Sequence, residues 1–169
     1  RIGRVLTNVA TQMDPWSTVE ELTPGHLGLR RQIALRYLLD GVQLSADDIL
    51  VTNGAMEALN LCLSAVCAPG DAVVVESPCF YVCLQALERL GLRAIEVATD
   101  PREGIDLDAL EAAIARHRPK ACWVMTNFQN PLGSTMPDAK KRALVELVTR
   151  HRLPLIEDDV YQELFFNRQ

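Results

Sequence analysis

Three short segments hold the residue types best suited to chemistry, and each directly follows a stretch that reads as a β-strand. In Thr52-Asn53-Gly54-Ala55-Met56-Glu57 a glycine and a small residue let backbone N–H groups come close to a ligand. A helix start, with N–H groups that lack intrahelical partners and a positive dipole end, is a natural cradle for a phosphate. Taken alone, the same residues read first as a strand-to-helix turn that needs glycine. In Asn127-Phe128-Gln129-Asn130-Pro131-Leu132-Gly133 the Asn-Pro pair is turn chemistry, and a tight loop is the plain reading. An asparagine at a strand end can also donate a hydrogen bond into a cleft. In Glu157-Asp158-Asp159-Val160-Tyr161 three acids follow an apolar run. They are costly to bury without a positive partner. A solvated acidic loop and a divalent-metal site both stay open, because hard cations take carboxylate oxygens.

The elements around these segments alternate. Ile2, Val5, Leu6, Val9 and Met13 fall at helical spacing, and Asp14-Pro15 is placed to stop that helix. Residues 17–24 read as linker. A second helix spans Leu27 to Asp40, ended by Gly41. Then come a strand at Ile49–Thr52, a helix from Ala55 to Cys67, a strand at Ala72–Glu76, a helix from Cys79 to Leu90 and a strand at Arg93–Ala98. A turn at Pro101–Gly104 leads to a helix capped by Asp106, a strand at Ala121–Thr126, a helix from Pro137 to His151 and a strand at Leu153–Ile156. The unbroken apolar strands require helices on both faces of a sheet. The predicted class is α/β, a mostly parallel sheet with right-handed crossovers. In such sheets ligands sit beyond the carboxyl ends of the strands, where all three segments fall.

Composition narrows the function. The 169 residues suit one domain with an extra arm, and 49% hydrophobic content is enough for a core. The formal charge of −5, with basic residues scattered along the chain, argues against nucleic-acid binding by this chain itself. The one basic cluster, Lys140-Lys141-Arg142, reads as solvated helix surface. The five cysteines read as core filling, and no histidine stands at zinc spacing from Cys79 and Cys83, so no metal site is expected. The absence of a disulfide pattern points to a reducing, cytoplasmic setting. There is no apolar run of membrane-spanning length, and neither a dinucleotide fingerprint nor a Walker-type loop. His26, His117 and His151 read as surface or packing residues. The chain begins at Arg1 rather than Met and is expected to be a piece of something longer.

In order along the chain stand Gly54-Ala55-Met56, Pro78-Cys79-Phe80-Tyr81, Asn130-Pro131-Leu132-Gly133 and Asp158-Asp159-Val160-Tyr161. Each is weak alone. Together, each at a strand end, they resemble fold-type I enzymes of the aminotransferase class I/II group, which depend on pyridoxal 5′-phosphate (PLP). Gly25 with Leu29-Arg30 fits the family's Gly-x-x-x-Leu-Arg pattern at a helix start. The resemblance covers roughly residues 20–166. It implies an N-terminal arm or linker with a helix over 1–24 and a partial PLP-binding large domain over 25–169. It also implies roles: N–H groups of Gly54, Ala55 and Met56 on the cofactor phosphate, and Phe80 stacked on the pyridine ring. Asn130 and Tyr161 would bond the ring's phenolic oxygen. Asp158 would sit against the ring nitrogen, keeping it protonated as an electron sink. Asp159 fits better as a loop acid. For Phe80, plain core packing stays open.

The wording of Asn127–Met136 and Ile156–Leu164 is similar, more narrowly, to MocR-type regulators of the GntR superfamily. These bacterial transcriptional regulators join a winged-helix DNA-binding domain to an aminotransferase-like domain that senses an effector and dimerises. The resemblance implies a small-molecule amine or amino acid effector, a homodimer, DNA contact only through a winged-helix domain not in this sequence, and no membrane. The alternative is the large-domain part of an aminotransferase acting on amino acids. A third possibility is a lysine-free α/β module that serves only dimerisation. The chain departs from the family in lacking a lysine among the eight residues Gln162–Gln169 after Tyr161. Lys120, Lys140 and Lys141 are not placed by motif order to meet the ring. Glu20 stands where the family often has a tyrosine that reaches a partner's phosphate. Without the covalent lysine the chain alone is expected to lack transaminase activity.

Overall fold

The computed structural model describes residues 2–13 and 24–165. Asp14-Pro15, most of the linker, Glu20 and the last four residues lie outside the described residues. The chain divides into two compact units, Arg1–Thr52 and Asn53–Gln169.

In the first unit, helix α1 (Ile2–Gln12) forms where the spacing predicted it, and its apolar residues Ile2, Val5, Leu6 and Val9 are all exposed. Helix α2 (Leu27–Leu39) is capped by His26, whose Nδ1 accepts the Leu29 N–H at 3.3 Å. It ends at Asp40 and Gly41, the latter at φ 83°. Arg30 on α2 is buried. Its guanidinium donates to the carbonyls of Gly25 (3.1 Å) and Ala46 (2.6 Å). Gly25 has φ 97°, and a Cβ there would stand 2.7 Å from Val51 Cβ, so the Gly-x-x-x-Leu-Arg spacing is a packing requirement here. The predicted strand at Ile49–Thr52 does not form. The Val51 N–H bonds the Pro24 carbonyl at 3.0 Å, but among the described residues no ladder follows, so extended, β-branched residues remain a connector.

The second unit is a three-layer α/β/α arrangement. Helix α3 (Ala55–Val66) is followed by strand β1 (Ala72–Ser77), helix α4 (Tyr81–Arg89) and strand β2 (Arg93–Asp100). A short strand β3 (Gly104–Ile105) turns back antiparallel on β2, which the sequence had shown only as a turn. Asp100 Oδ1 holds that turn by accepting the N–H groups of Arg102 (2.7 Å) and Glu103 (2.9 Å). Helix α5 (Leu107–His117) starts at Asp106, whose carboxylate accepts the N–H groups of Asp108 and Ala109, as its position forecast. Strand β4 (Ala121–Val124), helix α6 (Asp138–Arg150) and strand β5 (Leu155–Glu157) complete the unit.

The strand order is β3-β2-β1-β4-β5, parallel except at β3. The chain leaves β1 toward β2 and returns to the other side of β1 for β4. Helices that follow opposite moves must lie on opposite faces if every crossover has one hand, and they do. Val73 and Val75 of β1 pack with α3 and α4 through Leu59, Leu63, Cys83 and Leu87. Val74 packs with α5 and α6 through Leu110, Ile114, Leu144 and Leu147. Strand alternation thus feeds two cores from one strand, which explains its continuous apolar run. The reversal of direction puts a topological switch point between the carboxyl ends of β1 and β4. Cys83 and Cys122 are buried core residues as expected, whereas Cys62 is exposed on α3. Among the described residues, no helix is long and apolar enough to cross a membrane.

Candidate functional site

The site is built from four connections at the carboxyl edge of the second unit's sheet. The first is the start of α3. Gly54 is its N-cap at φ 96°, ψ 167°, a region closed to residues with a side chain. Nothing lies within 4 Å of a Cβ built there, so backbone conformation rather than crowding demands the glycine. Glu57 reaches back to the Asn53 N–H at 2.5 Å, fixing the turn. The N–H groups of the first helical turn, Ala55 and Met56 among them, have no partner within the helix.

After β1, Ser77-Pro78-Cys79 leads to Phe80, the N-cap of α4. Its ring is half-buried and meets Tyr81 edge-on at 5.3 Å. After β4 the chain folds into a loop closed upon itself. The N–H groups of Gln129 and Met136 donate to the carbonyls of Ser134 (2.9 Å) and Thr126 (2.8 Å). This loop carries half-buried Asn130. After β5, the Asp158 N–H continues the ladder to the Val124 carbonyl at 2.9 Å.

Side chains stitch the loops together. Gln129 Nε2 donates to the Pro78 carbonyl at 2.8 Å, joining the β4 loop to the β1 loop. Asn127 Nδ2 donates to Asp159 Oδ1 at 2.8 Å, and Thr126 Oγ1 donates to the Glu157 carboxylate, joining the β4 and β5 loops. Met56, Phe80 and Tyr161 all pack against the α3–α4 core cluster. Burial raises the Cys83 thiol most, Cys79 next and the Asp158 charge last, so Asp158 lies within electrostatic reach of that core residue. Three of the seven residues singled out from the sequence therefore share one hydrophobic base. Asp158 stands near it, Asn130 is tethered to it through its neighbour Gln129, and Gly54 and Ala55 precede Met56 on the same helix start.

Burial holds the Asp158 carboxyl above the usual carboxylate range. The Val160 N–H opposes this, and the Asp159 charge adds to it. A nearby cation would draw it back down. Asp159 itself is turned to Asn127, in keeping with a loop role. The set of helix-start N–H groups, aromatic face, amide, phenol and carboxylate has the donors and acceptors that a flat, phosphorylated, N-protonated aromatic ring requires.

Of Lys140-Lys141-Arg142 only Arg142 is exposed as expected. Lys141 is half-buried on α6 and its Nζ donates to Asn127 Oδ1 at 2.7 Å, while Lys140 Nζ reaches the Gly104 carbonyl at 3.5 Å. Lys120 stands at the opposite, amino end of β4. The basic residues are not wholly scattered either. Arg118, Lys120, His151 and Arg152 line one surface cavity beside the amino ends of β4 and β5. There they face the negative ends of α5 and α6.

Sequence reasoning also passed over Glu76. It closes the Ala72–Glu76 run, is completely buried, and accepts the Met125 N–H at 2.8 Å. A charged residue at the end of an otherwise apolar, doubly covered strand was the available signal.

The aminotransferase class I and II family matches residues 20–169. The chain is 54% identical, over all of its length, to the uncharacterized HTH-type transcriptional regulator YdcR of Escherichia coli, and covers 36% of that protein. It is 32% identical over 98% of its length to the 2-aminoadipate transaminase of Thermus thermophilus, covering 38% of it. In structure it is similar to LysN, an alpha-aminoadipate aminotransferase of the same species complexed with N-(5′-phosphopyridoxyl)-L-leucine. The TM-score is 0.85 at 29% identity, over 99% of this chain and 41% of that one. The kynurenine aminotransferase of Pyrococcus horikoshii gives 0.88 at 29% identity, over 99% and 43%. The chain spans about a third of the length of the curated relatives it matches. On the family match and the shared fold together, the chain belongs to the aminotransferase class I and II family.

Proposed function

We propose that this chain is the cofactor-binding part of an effector-sensing, aminotransferase-like domain in a bacterial MocR-type transcriptional regulator. The observation that carries the regulator reading is the 54% identity along the entire chain to an HTH-type regulator, against 32% to a transaminase. The cofactor reading draws on the common base beneath Met56, Phe80 and Tyr161. PLP, when bound, supplies an electron-withdrawing ring that stabilises negative charge on the carbon that bears the amine.

The chain's own residues would do the rest. The N–H groups of Gly54, Ala55 and Met56 would hold the phosphate at the positive end of α3. Phe80 would cover one face of the ring and exclude water from it. Asn130 and Tyr161 would donate to its phenolic oxygen, and Asp158 would accept from the ring nitrogen and keep its proton in place. No transaminase activity is expected of this chain alone. In the whole protein the partners would be an amine or amino acid effector, a second copy of the protein, and DNA bound through a separate winged-helix region, in the cytoplasm. A metabolic aminotransferase is the second reading, favoured by the match to the 2-aminoadipate transaminase over 98% of the chain.

Titration of the chain with pyridoxamine phosphate, which needs no lysine, tests the cofactor site. Saturable quenching of Trp fluorescence that Asp158→Asn weakens supports it, and no saturable binding at millimolar ligand overturns it. In the whole protein, operator DNA affinity that changes with an amino acid only when PLP is present supports the regulator reading. Turnover of that amino acid without any DNA affinity points to the aminotransferase.

A further inference from the structure

Glu76 places a carboxyl group within the central strand, completely buried, at the switch point of the sheet. One oxygen accepts the Met125 N–H at 2.8 Å, and the other, Oε1, has no hydrogen-bond partner among the described residues. Beside it lies Gln129, 1% exposed, whose amide acts on the carboxyl. That same Gln129 side chain donates to the Pro78 carbonyl (2.8 Å) and accepts the Leu132 N–H (2.9 Å), so it grips both the β1 loop and the far limb of its own loop.

We propose that Glu76 is a positioning residue for Asn130: with Gln129 it clamps the loop of residues 126–134 against the end of β1, and so sets the backbone that carries Asn130. The clamp rests on the cofactor reading only for the purpose that Asn130 serves. Apolar packing alone would not account for an acid here, since a valine or leucine would fill a covered strand position at no desolvation cost. Burial pushes the carboxyl up to about 7, against the Met125 N–H and Gln129. Burial raises the nearby thiols of Cys79 and Cys122, the latter to about 12; the charges of Glu96 and then Glu76 add for Cys79, and that of Glu76 for Cys122, so both thiols stay neutral across the physiological range. A neutral Glu76 suits the buried, unpartnered Oε1. Its ionisation leaves a charge that two donors do not fully offset shut away from water, and opening of the loop relieves that burial.

The test is amide hydrogen exchange of the chain without ligand, from pH 5.5 to 8.5, in the wild type, Glu76→Gln, Glu76→Leu and Gln129→Leu. Protection of residues 127–134 should fall at least tenfold in Gln129→Leu and Glu76→Leu, while β1 and β4 keep theirs. In the wild type that loop should lose further protection as pH rises through about 7. This loss, corrected for intrinsic exchange, should vanish in Glu76→Gln. If Glu76→Leu does not fold, the Glu76→Gln pH profile and Gln129→Leu decide. Loop protection in Gln129→Leu equal to wild type, or a pH profile that Glu76→Gln shares, overturns the clamp. A loosened loop with unchanged pyridoxamine phosphate affinity overturns the positioning of Asn130. Failure of even the wild type to bind that ligand sinks the cofactor reading and leaves the exchange result standing.

Discussion

The ammonium of Lys141 lies 2.7 Å from Asn127 Oδ1, and the amide of Asn127 donates in turn to Asp159 at 2.8 Å. This relay carries a positive charge from α6 to the loop after β5 and directs the Asp159 carboxylate to Asn127, next to Asp158. A half-buried lysine bonded to a side-chain amide is worth more than a solvated one. Lys141→Met should destabilise the chain by about 1–2 kcal/mol, because Asn127 is left with an unpaired carbonyl. Urea denaturation measures it, and a loss indistinguishable from that of Arg142→Met would contradict the assignment.

Glu76 gives the chain a pH-dependent stability. Its folded value, about 7, lies above the ordinary 4.5, so the folded state favours the protonated acid. Stability from this group is fully present below pH about 4.5, declines as pH rises, and is lost by about 7 and above. Glu76→Gln mimics the neutral acid. At pH 8 it should be the more stable form by about 3 kcal/mol, and near pH 4 about equal to wild type. Denaturant midpoints across that range check it, and parallel curves for the two proteins refute it.

Asp158 trades stability for binding. Burial raises its carboxyl pKa, so its ionised form costs stability at neutral pH. Asp158→Asn keeps the acceptor for the Val160 N–H and removes the charge. The variant should be slightly more stable at pH 7, with the difference fading as pH falls. It should bind pyridoxamine phosphate at least tenfold more weakly. Thermal melts and a ligand titration on the same samples measure both. A variant that loses stability and keeps affinity would show that Asp158 is structural.

Gly54 tests the backbone alone. Its φ of 96° and ψ of 167° exclude an L side chain, yet the space around it is open. Gly54→Ala should therefore cost about 1–3 kcal/mol through conformation rather than collision. Because the turn aims the first N–H groups of α3, phosphate-bearing ligands should weaken more than pyridoxamine, which has none. Equal weakening of both would place the phosphate elsewhere.

Much of this architecture is legible locally. Asp106 announces α5 because a cap acts over three residues, and Gly54, Asn130 and Asp158 announce loops because each follows a short apolar run. The misses share one cause. Ile49–Thr52 has strand composition but joins none of the sheet's five strands, whereas Gly104–Ile105 has little strand character and finds β2 across a tight turn. Pairing belongs to the partner as much as to the segment.

By itself the sequence determined the alternation of helices and strands, the family, and the order of the site's motifs. Caps, turns and hydrophobic periods are written within a few residues of where they act. Only the tertiary structure decided that β1 lies at the centre. From that placement follow the burial of Glu76 and the grip of Gln129 on Pro78, while the packing of α6 on β4 brings Lys141 to Asn127. The gathering of Arg118, Lys120, His151 and Arg152 at the opposite edge follows from the parallel pairing of β4 and β5. A residue's solvation and its partners depend on which strands flank it, and that is a property of the assembled sheet.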